Sequence, residues 1–130
     1  MCHWCGEFEK AAETSNAKDL TETNWRLHRA IGAAFGNEHF ARYYNQLLIE
    51  GLRIARLAMG RQFYGSSQAY SRHIGQILAE HTQLVAAIVA RDADRAEQLA
   101  QSHTELARKR ILEYFGRAES LSINLSAINK

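Results

Sequence analysis

Apolar residues recur every three or four positions through most of this chain, with charged and amide side chains between them. This spacing places the apolar residues along one side of an α-helix and is typical of amphipathic helices. The longest such stripes predict four helices, at about residues 19–35, 38–60, 68–90 and 93–115. Because short connections join these helices, the pattern predicts an all-α fold, an antiparallel helical bundle.

Residues that favour helix ends lie between the stripes. Gly36 occupies the left-handed position that commonly follows a helix, and Asn37 and Asp92 are placed to cap the helices after them. Asp19 and Glu22 have the spacing of a capping box, which predicts the start of the first long helix. Local chemistry therefore agrees with the hydrophobic pattern.

These signals divide the chain into three parts. Residues 1–18 are predicted to be a weakly structured N-terminal remnant or a short helix, and residues 19–116 to form the bundle. Gly116 predicts the end of the last long helix, so residues 117–130 become a C-terminal tail or a further short helix. The inward side of the second long helix is predicted to comprise Phe40, Tyr43, Tyr44, Leu47, Leu48, Leu52 and Ala55.

The composition indicates one globular domain. The chain has 130 residues, of which 46% are hydrophobic and 23% charged, and it contains no proline. Its net charge of +2 is too small to argue for a nucleic-acid-binding surface by itself, and no stretch forms a basic block. No apolar run approaches the ~18–20 residues of a membrane span, and the start does not resemble a signal peptide. We therefore expect a cytoplasmic protein without membrane contact.

Cys2 and Cys5 form a Cys-x-x-Cys motif near the N-terminus. Such a motif binds zinc or cycles as a redox pair, but a second pair of zinc ligands and a βαβ pattern are both missing. We expect these residues to be thiols at a frayed terminus in a reducing compartment.

Three histidines lie on the predicted inward stripes of three different helices: His28, His81 and His103. Burying an unpaired imidazole costs on the order of 1–3 kcal/mol, so each ring needs a partner. One shared ion satisfies all three, and Asn24, one helical turn before His28, adds an oxygen ligand. Three nitrogens and one oxygen suit Zn²⁺, and also Ni²⁺, Co²⁺, Fe²⁺ or Mn²⁺.

A structural role remains the alternative for each of these rings. A histidine on an apolar face is commonly a core residue that bonds to a backbone carbonyl. The other histidines, His3, His39 and His73, fall off the stripes and are predicted to lie on the surface.

Two groups of residues resemble the FCD domain, the C-terminal effector-binding domain of FadR-type regulators in the GntR superfamily of bacterial transcription factors. Asn-Trp-Arg-Leu-His at 24–28 and Ala-Phe-Gly-Asn at 34–37 are similar to its opening signature. The run at 80–88, with residues 91–93, Ala96 and His103, is similar to its second half. The resemblance covers about residues 20–115.

The resemblance implies a helical bundle whose central cavity holds a metal through one aspartate and three histidines, beside a bound small organic acid. By position, His28, His81 and His103 match the histidines, and Asn24 stands where the family has the acid. An amide supplies less charge than a carboxylate, so this departure predicts weaker metal binding or contact through water.

The resemblance also implies an effector site and partners. Similar domains grip small carboxylates with arginines that line the cavity, and the candidates here are Arg53, Arg56 and Arg72. The family dimerises, so we expect a homodimer. DNA is read by a winged helix-turn-helix domain that this chain lacks, so the chain by itself is not expected to bind an operator.

Two other functions remain open. A three-histidine metal with an open position can activate water, which makes a metal-dependent hydrolase the first alternative. Such an enzyme needs a general base, whereas Glu80 is predicted to point about 100° away from His81 around its helix. We therefore assign no catalytic residue and expect a non-enzyme. The second alternative is a metal-free structural bundle.

Overall fold

The computed structural model describes residues 3–14, 17–58 and 66–120, which form five α-helices. They are α1 His3–Thr14, α2 Ala17–Ala34, α3 Glu38–Ala58, α4 Ser67–Val89 and α5 Ala93–Ser120. The predicted all-α helical bundle is confirmed. No described helix combines the length and the apolar character needed to cross a membrane.

The helix ends follow from local chemistry. Gly36 adopts a φ of +69°, the left-handed conformation that ends α2, and the Asn37 side chain accepts a hydrogen bond from the Phe40 backbone N–H at 3.0 Å. Asp92 accepts from the Arg95 N–H at 3.0 Å and caps α5 in the same way. The predictions at all three positions are confirmed.

Two predicted boundaries are wrong. Helix α2 begins at Ala17, so Asp19 lies in its first turn, where a carboxylate suits the helix dipole, and does not cap it. Helix α5 continues through Gly116 to Ser120 because a lone glycine only weakens a helix unless it adopts the left-handed conformation. The predicted tail beyond Ser120 lies outside the described residues.

The five helices pack in a closed ring. Helix α1 contacts α2 and α4, α2 contacts α3, α3 contacts α5, and α5 contacts α4. The main apolar cluster joins α1, α2 and α4, and its members are Phe8, Ala11, Leu20, Tyr70, Ile74 and Ile77. His81 is fully buried next to this cluster, so the ring closes around a polar centre.

The N-terminal segment contributes to the core. Phe8 is completely buried in α1 and Cys5 is buried one turn before it. Of the two outcomes expected for residues 1–18, a short helix is the one observed over residues 3–14. The expectation that Cys5 lies at a frayed terminus is wrong, because α1 packs on α2 and α4 and buries this side chain. Cys2 lies outside the described residues.

The inward side of α3 is narrower than predicted. Tyr44, Leu48 and Leu52 are half-buried, whereas Phe40, Tyr43 and Leu47 are 46%, 62% and 67% exposed. The prediction is wrong for these last three residues because α3 contacts only two neighbours closely, α2 and α5, along one stripe. The side chain of Ala55 is outside the described set.

Candidate metal centre

Three imidazole rings meet at the centre of the bundle. The ring centroids of His28 and His81 are 5.2 Å apart, those of His28 and His103 5.2 Å, and those of His81 and His103 5.0 Å. One nitrogen from each ring lies within 4.8 Å of one nitrogen of each of the other two rings. Three helices, α2, α4 and α5, thus aim one histidine each at a common point.

The two remaining helices hold these rings in place. Phe8 of α1 packs edge-on against His81 at a centroid distance of 5.1 Å. Tyr44 of α3 places its hydroxyl 3.3 Å from His28 Nδ1. Gly32 of α2 permits this approach, because a Cβ there would lie 2.5 Å from Cδ1 of the Tyr44 ring.

Next to the other two rings, the side chains of His81 and Asn24 carry buried polar atoms without a hydrogen-bond partner. Both ring nitrogens of His81 are buried and unbonded, and so is Oδ1 of Asn24. Leaving a buried donor or acceptor unpaired costs about 1–3 kcal/mol per group, which native proteins rarely tolerate without reason. The protein itself supplies no hydrogen-bond partner for these atoms, so a bound ion or ligand is the expected partner.

Glu80 fixes the orientation of His103 from outside the ring cluster. Its Oε2 lies 2.6 Å from His103 Nδ1, and its Oε1 accepts from Arg110 Nη2 at 2.8 Å. Because an ionised carboxylate only accepts, Nδ1 of His103 carries the hydrogen, and Nε2 presents its lone pair. That nitrogen faces His28 Nε2 at 3.3 Å.

Burial favours the neutral form of His28 and His81. Burial, followed by the proximity of His103, lowers the pKa of His28 to about 4. Burial, followed by the proximity of His28, His103 and Arg110, lowers the pKa of His81 to about 2. Although burial opposes ionisation of Glu80, hydrogen bonds from Arg110 and His103 lower its pKa. At neutral pH the centre therefore contains the neutral imidazoles of His28 and His81, and the ionised carboxylate of Glu80 lies behind His103.

These residues fit a divalent transition metal. Neutral imidazole nitrogens from separate helices are common zinc ligands, and a carboxylate that accepts the other N–H of a ligating histidine is their usual support. Such an ion would engage one of the two unbonded nitrogens of His81 and, as a further ligand, the unbonded oxygen of Asn24. Among the described residues, this is the one group of three histidine, cysteine or acidic side chains close enough to share an ion.

Two cavities border the centre and share His28, Tyr44, His103 and Thr104. We call the first, of about 270 Å³, the arginine cavity; it is also lined by Asn24, His73, Ile77 and Arg110. We call the second, of about 440 Å³, the apolar cavity; it is also lined by Ile31, Phe35, Phe40, Leu84 and Ile88.

The arginines expected to bind an effector lie elsewhere. Arg53, Arg56 and Arg72 are exposed, and none of them lines either cavity. Arg110 does line a cavity, and its side chain is only 13% exposed. Its position one turn beyond Leu106 and Ala107 on the α5 stripe is the signal that sequence reasoning did not use.

The sequence did not indicate the burial of His73 or the contact of Glu80 with His103. His73 is 8% exposed, so its predicted surface position is wrong, whereas His3 and His39 are exposed as expected. The α4 stripe begins one turn earlier than we assumed, at Tyr70, and His73 lies on it. Glu80 does leave the stripe of His81, but its side chain is long enough to reach α5.

Comparisons with known proteins identify the family of this chain. The FCD domain family matches residues 1–106, which include α1 through α4 and the first half of α5 with all three histidines. No curated protein and no solved structure gives a significant match. Since the family match spans most of the 130 residues, this chain belongs to the FCD domain family.

Proposed function

We propose that this chain is the effector-binding and dimerising domain of a GntR/FadR-type transcription regulator, and that it senses a small carboxylate at or beside a metal held by His28, His81 and His103. Family membership supports the regulatory role. The single observation that carries the metal-dependent part is His81, whose two buried ring nitrogens lack a protein partner beside two other imidazoles.

The three histidines would hold the ion, and Asn24 would supply an oxygen directly or through water. Zn²⁺ is the best match to three nitrogens and one oxygen, with Ni²⁺, Co²⁺, Fe²⁺ and Mn²⁺ as the other candidates. When bound, the ion supplies a Lewis acid that attracts an anionic oxygen. The protein would contribute the imidazole ligands and would hold Glu80 against His103 and Arg110.

Arg110 is the best candidate for a second contact with the carboxylate. Arginine has five N–H donors, and Glu80 occupies only some of those on Arg110. Arg110 also lines the arginine cavity. We therefore propose Arg110 for the role that the sequence assigned to Arg53, Arg56 and Arg72.

Regulation would follow from a difference in affinity. An effector that binds one arrangement of α2, α4 and α5 more tightly than another shifts the population between them. In the family this shift changes the spacing of the attached winged helix-turn-helix domains. We place the domain in the cytoplasm, where it would reach DNA only through such a partner domain.

A metal analysis tests the ligand assignment. The chain, purified without chelator and dialysed against zinc, is expected to retain about one equivalent, and His81→Ala to lose it. His39→Ala is the matched control, because His39 is exposed and distant from the cluster. Full zinc retention by His81→Ala would refute the assignment.

A thermal-shift experiment tests sensing against catalysis. Small carboxylates are expected to raise the melting temperature of the zinc-loaded chain and not that of the zinc-free chain, because a ligand that binds the native state stabilises it. In parallel, simple esters and amides are incubated with the zinc-loaded chain. Zinc-dependent turnover would favour a hydrolase; failure of every carboxylate to shift the melting temperature would refute the sensor proposal.

A further inference from the structure

The histidine cluster lies on the boundary between two cavities of different character. His28, Tyr44 and His103 line both of them, so a ligand that contacts the cluster can extend into either. The arginine cavity contains the polar side chains of Asn24, His73 and Arg110. The apolar cavity is the larger, at about 440 Å³, which falls within the size range of small-molecule sites.

Charge in the two cavities limits what they accept. Arg110 is the one lysine or arginine among the described residues that line either cavity, and the proposed function already assigns it to the carboxylate at the histidine cluster. Glu97 is the one carboxylate in the apolar cavity. A ligand group placed in the apolar cavity therefore meets no compensating cation and one negative charge.

The walls of the apolar cavity fit a hydrocarbon group. Ile31, Leu84 and Ile88 contribute aliphatic surface. Phe35, Phe40 and Tyr44 form a continuous aromatic wall, with centroid distances of 5.5 Å between successive rings. Phe35 and Phe40 are also partly exposed, so the cavity opens to solvent on this side.

We propose that the effector is a monocarboxylate with an apolar substituent, whose carboxylate lies at the histidine cluster and whose hydrocarbon part fills the apolar cavity. This inference rests on the proposed function and adds the ligand class to it. A dicarboxylate is disfavoured because its second charge would be desolvated against Ile31, Leu84 and Ile88 and would face Glu97.

Matched carboxylates test this on the zinc-loaded chain by isothermal titration calorimetry. Acetate, butyrate and hexanoate are compared with succinate and adipate, the dicarboxylates of four and six carbons. Affinity is expected to rise roughly fourfold per added methylene in the first series. Adipate is expected to bind about tenfold or more weakly than hexanoate because of its second charge.

Two matched variants locate the hydrocarbon part. Ala96→Leu narrows only the apolar cavity, and Ala107→Leu narrows only the arginine cavity on the same face of α5. Ala96→Leu is expected to abolish the increase in affinity from acetate to hexanoate, while the zinc content and the affinity for acetate stay unchanged. Ala107→Leu is expected to keep the gain.

The possible outcomes separate the two proposals. If no carboxylate binds the zinc-loaded chain, both proposals fail. If carboxylates bind in a zinc-dependent way but adipate equals hexanoate, or if Ala107→Leu rather than Ala96→Leu removes the gain, this inference fails and the proposed function stands. The comparison of unmodified protein with the two ligand series is informative even if a variant does not fold.

Discussion

Glu80 shows how a residue outside a ligand set controls it. It accepts a hydrogen bond from His103 Nδ1 and pairs with Arg110, and so it selects the His103 tautomer whose Nε2 lone pair faces His28. A carboxylate on a ligating histidine also raises the basicity of that ligand. In the proposed site, whose fourth ligand would be the neutral Asn24, Glu80 would supply a negative charge through His103.

Replacing Glu80 by glutamine tests that role. Glu80→Gln keeps an acceptor for His103 but removes the charge, so zinc affinity is expected to fall about 10–100-fold. The measurement is competition with a chromophoric chelator, together with the visible absorption of the Co²⁺-loaded protein. Glu105→Gln is the matched control, because Glu105 pairs with Arg108 on the exposed side of α5. Equal zinc affinity in the two variants would show that Glu80 is only structural.

Replacing Asn24 by aspartate is expected to have the opposite effect on zinc affinity. Asn24→Asp supplies a carboxylate at a buried oxygen position that has no hydrogen-bond partner. Zinc affinity is expected to rise about tenfold or more, while the zinc-free protein becomes less stable because an unpaired charge is buried. Chelator competition and urea unfolding measure the two effects. A variant with unchanged zinc affinity would place Asn24 outside the ligand set.

At the scale of helices, a close approach between α2 and α3 positions Tyr44. Gly32 leaves room for the Tyr44 ring, and the ring in turn brings its hydroxyl to His28. Helix–helix contacts of this kind depend on one small residue. The pairing of α2 and α3 therefore bears directly on the centre.

Gly32→Ala is expected to separate these helices. The added Cβ would meet Cδ1 of Tyr44 at 2.5 Å, so the ring must move, and stability is expected to fall by about 1–3 kcal/mol. Gly51→Ala on α3 meets open space and is expected to stabilise by about 0.5–1 kcal/mol, since alanine favours a helix. Urea unfolding compares the two. A stabilising Gly32→Ala would mean that Tyr44 is not held against α2.

The helices also show what the sequence can and cannot predict. Gly36, Asn37 and Asp92 were assigned correctly because a helix end depends on a few adjacent residues. The exposure of Tyr43 and Leu47 was missed because an apolar stripe does not reveal how much of it a neighbouring helix covers. The convergence of three helices on one point depends on such packing.

The candidate site divides in the same way. The histidines could be named because each lies on an inward stripe and belongs to the family pattern. Arg110 and Glu80 could not, because their roles depend on the contact between α4 and α5 and not on position within one helix. Sequence periodicity identifies which face of a helix is buried, but not which partner that face meets.

For the whole molecule, an apolar stripe on α3 supports the proposed homodimer. Tyr43, Leu47 and Ile54 follow helical spacing, and each is at least 37% exposed. A contiguous exposed apolar surface commonly marks a protein interface. We place the dimer contact on this stripe.

A charge on the stripe is expected to dissociate the dimer. Leu47→Glu would bury a carboxylate in the proposed interface, so sedimentation equilibrium is expected to show a dimer for the unmodified chain and a monomer for this variant. Gln46→Glu adds the same charge at the adjacent exposed position and should leave the dimer intact. If the Leu47→Glu variant were still a dimer, the dimer contact would have to lie on another surface.

The buried histidines predict how the zinc-free molecule responds to acid. The pKa values of His28 and His73 are lowered to about 4 and that of His81 to about 2, from an ordinary value of 6.5, chiefly by burial. Below pH 6.5 the unfolded chain therefore binds protons that the folded chain does not, and acid favours unfolding.

The free energy of unfolding in the presence of EDTA should be constant above about pH 7.5 and decrease from pH 6.5 to 4.5, by at most about 1.4 kcal/mol per pH unit for each such histidine. Urea titrations at unit pH intervals measure this slope. His81→Leu should reduce the slope because it removes one proton-binding group from the unfolded state. If His81→Leu had the slope of the unmodified chain, His81 would take up its proton in the folded protein at the same pH as in the unfolded one, and burial among the other rings would not lower its pKa.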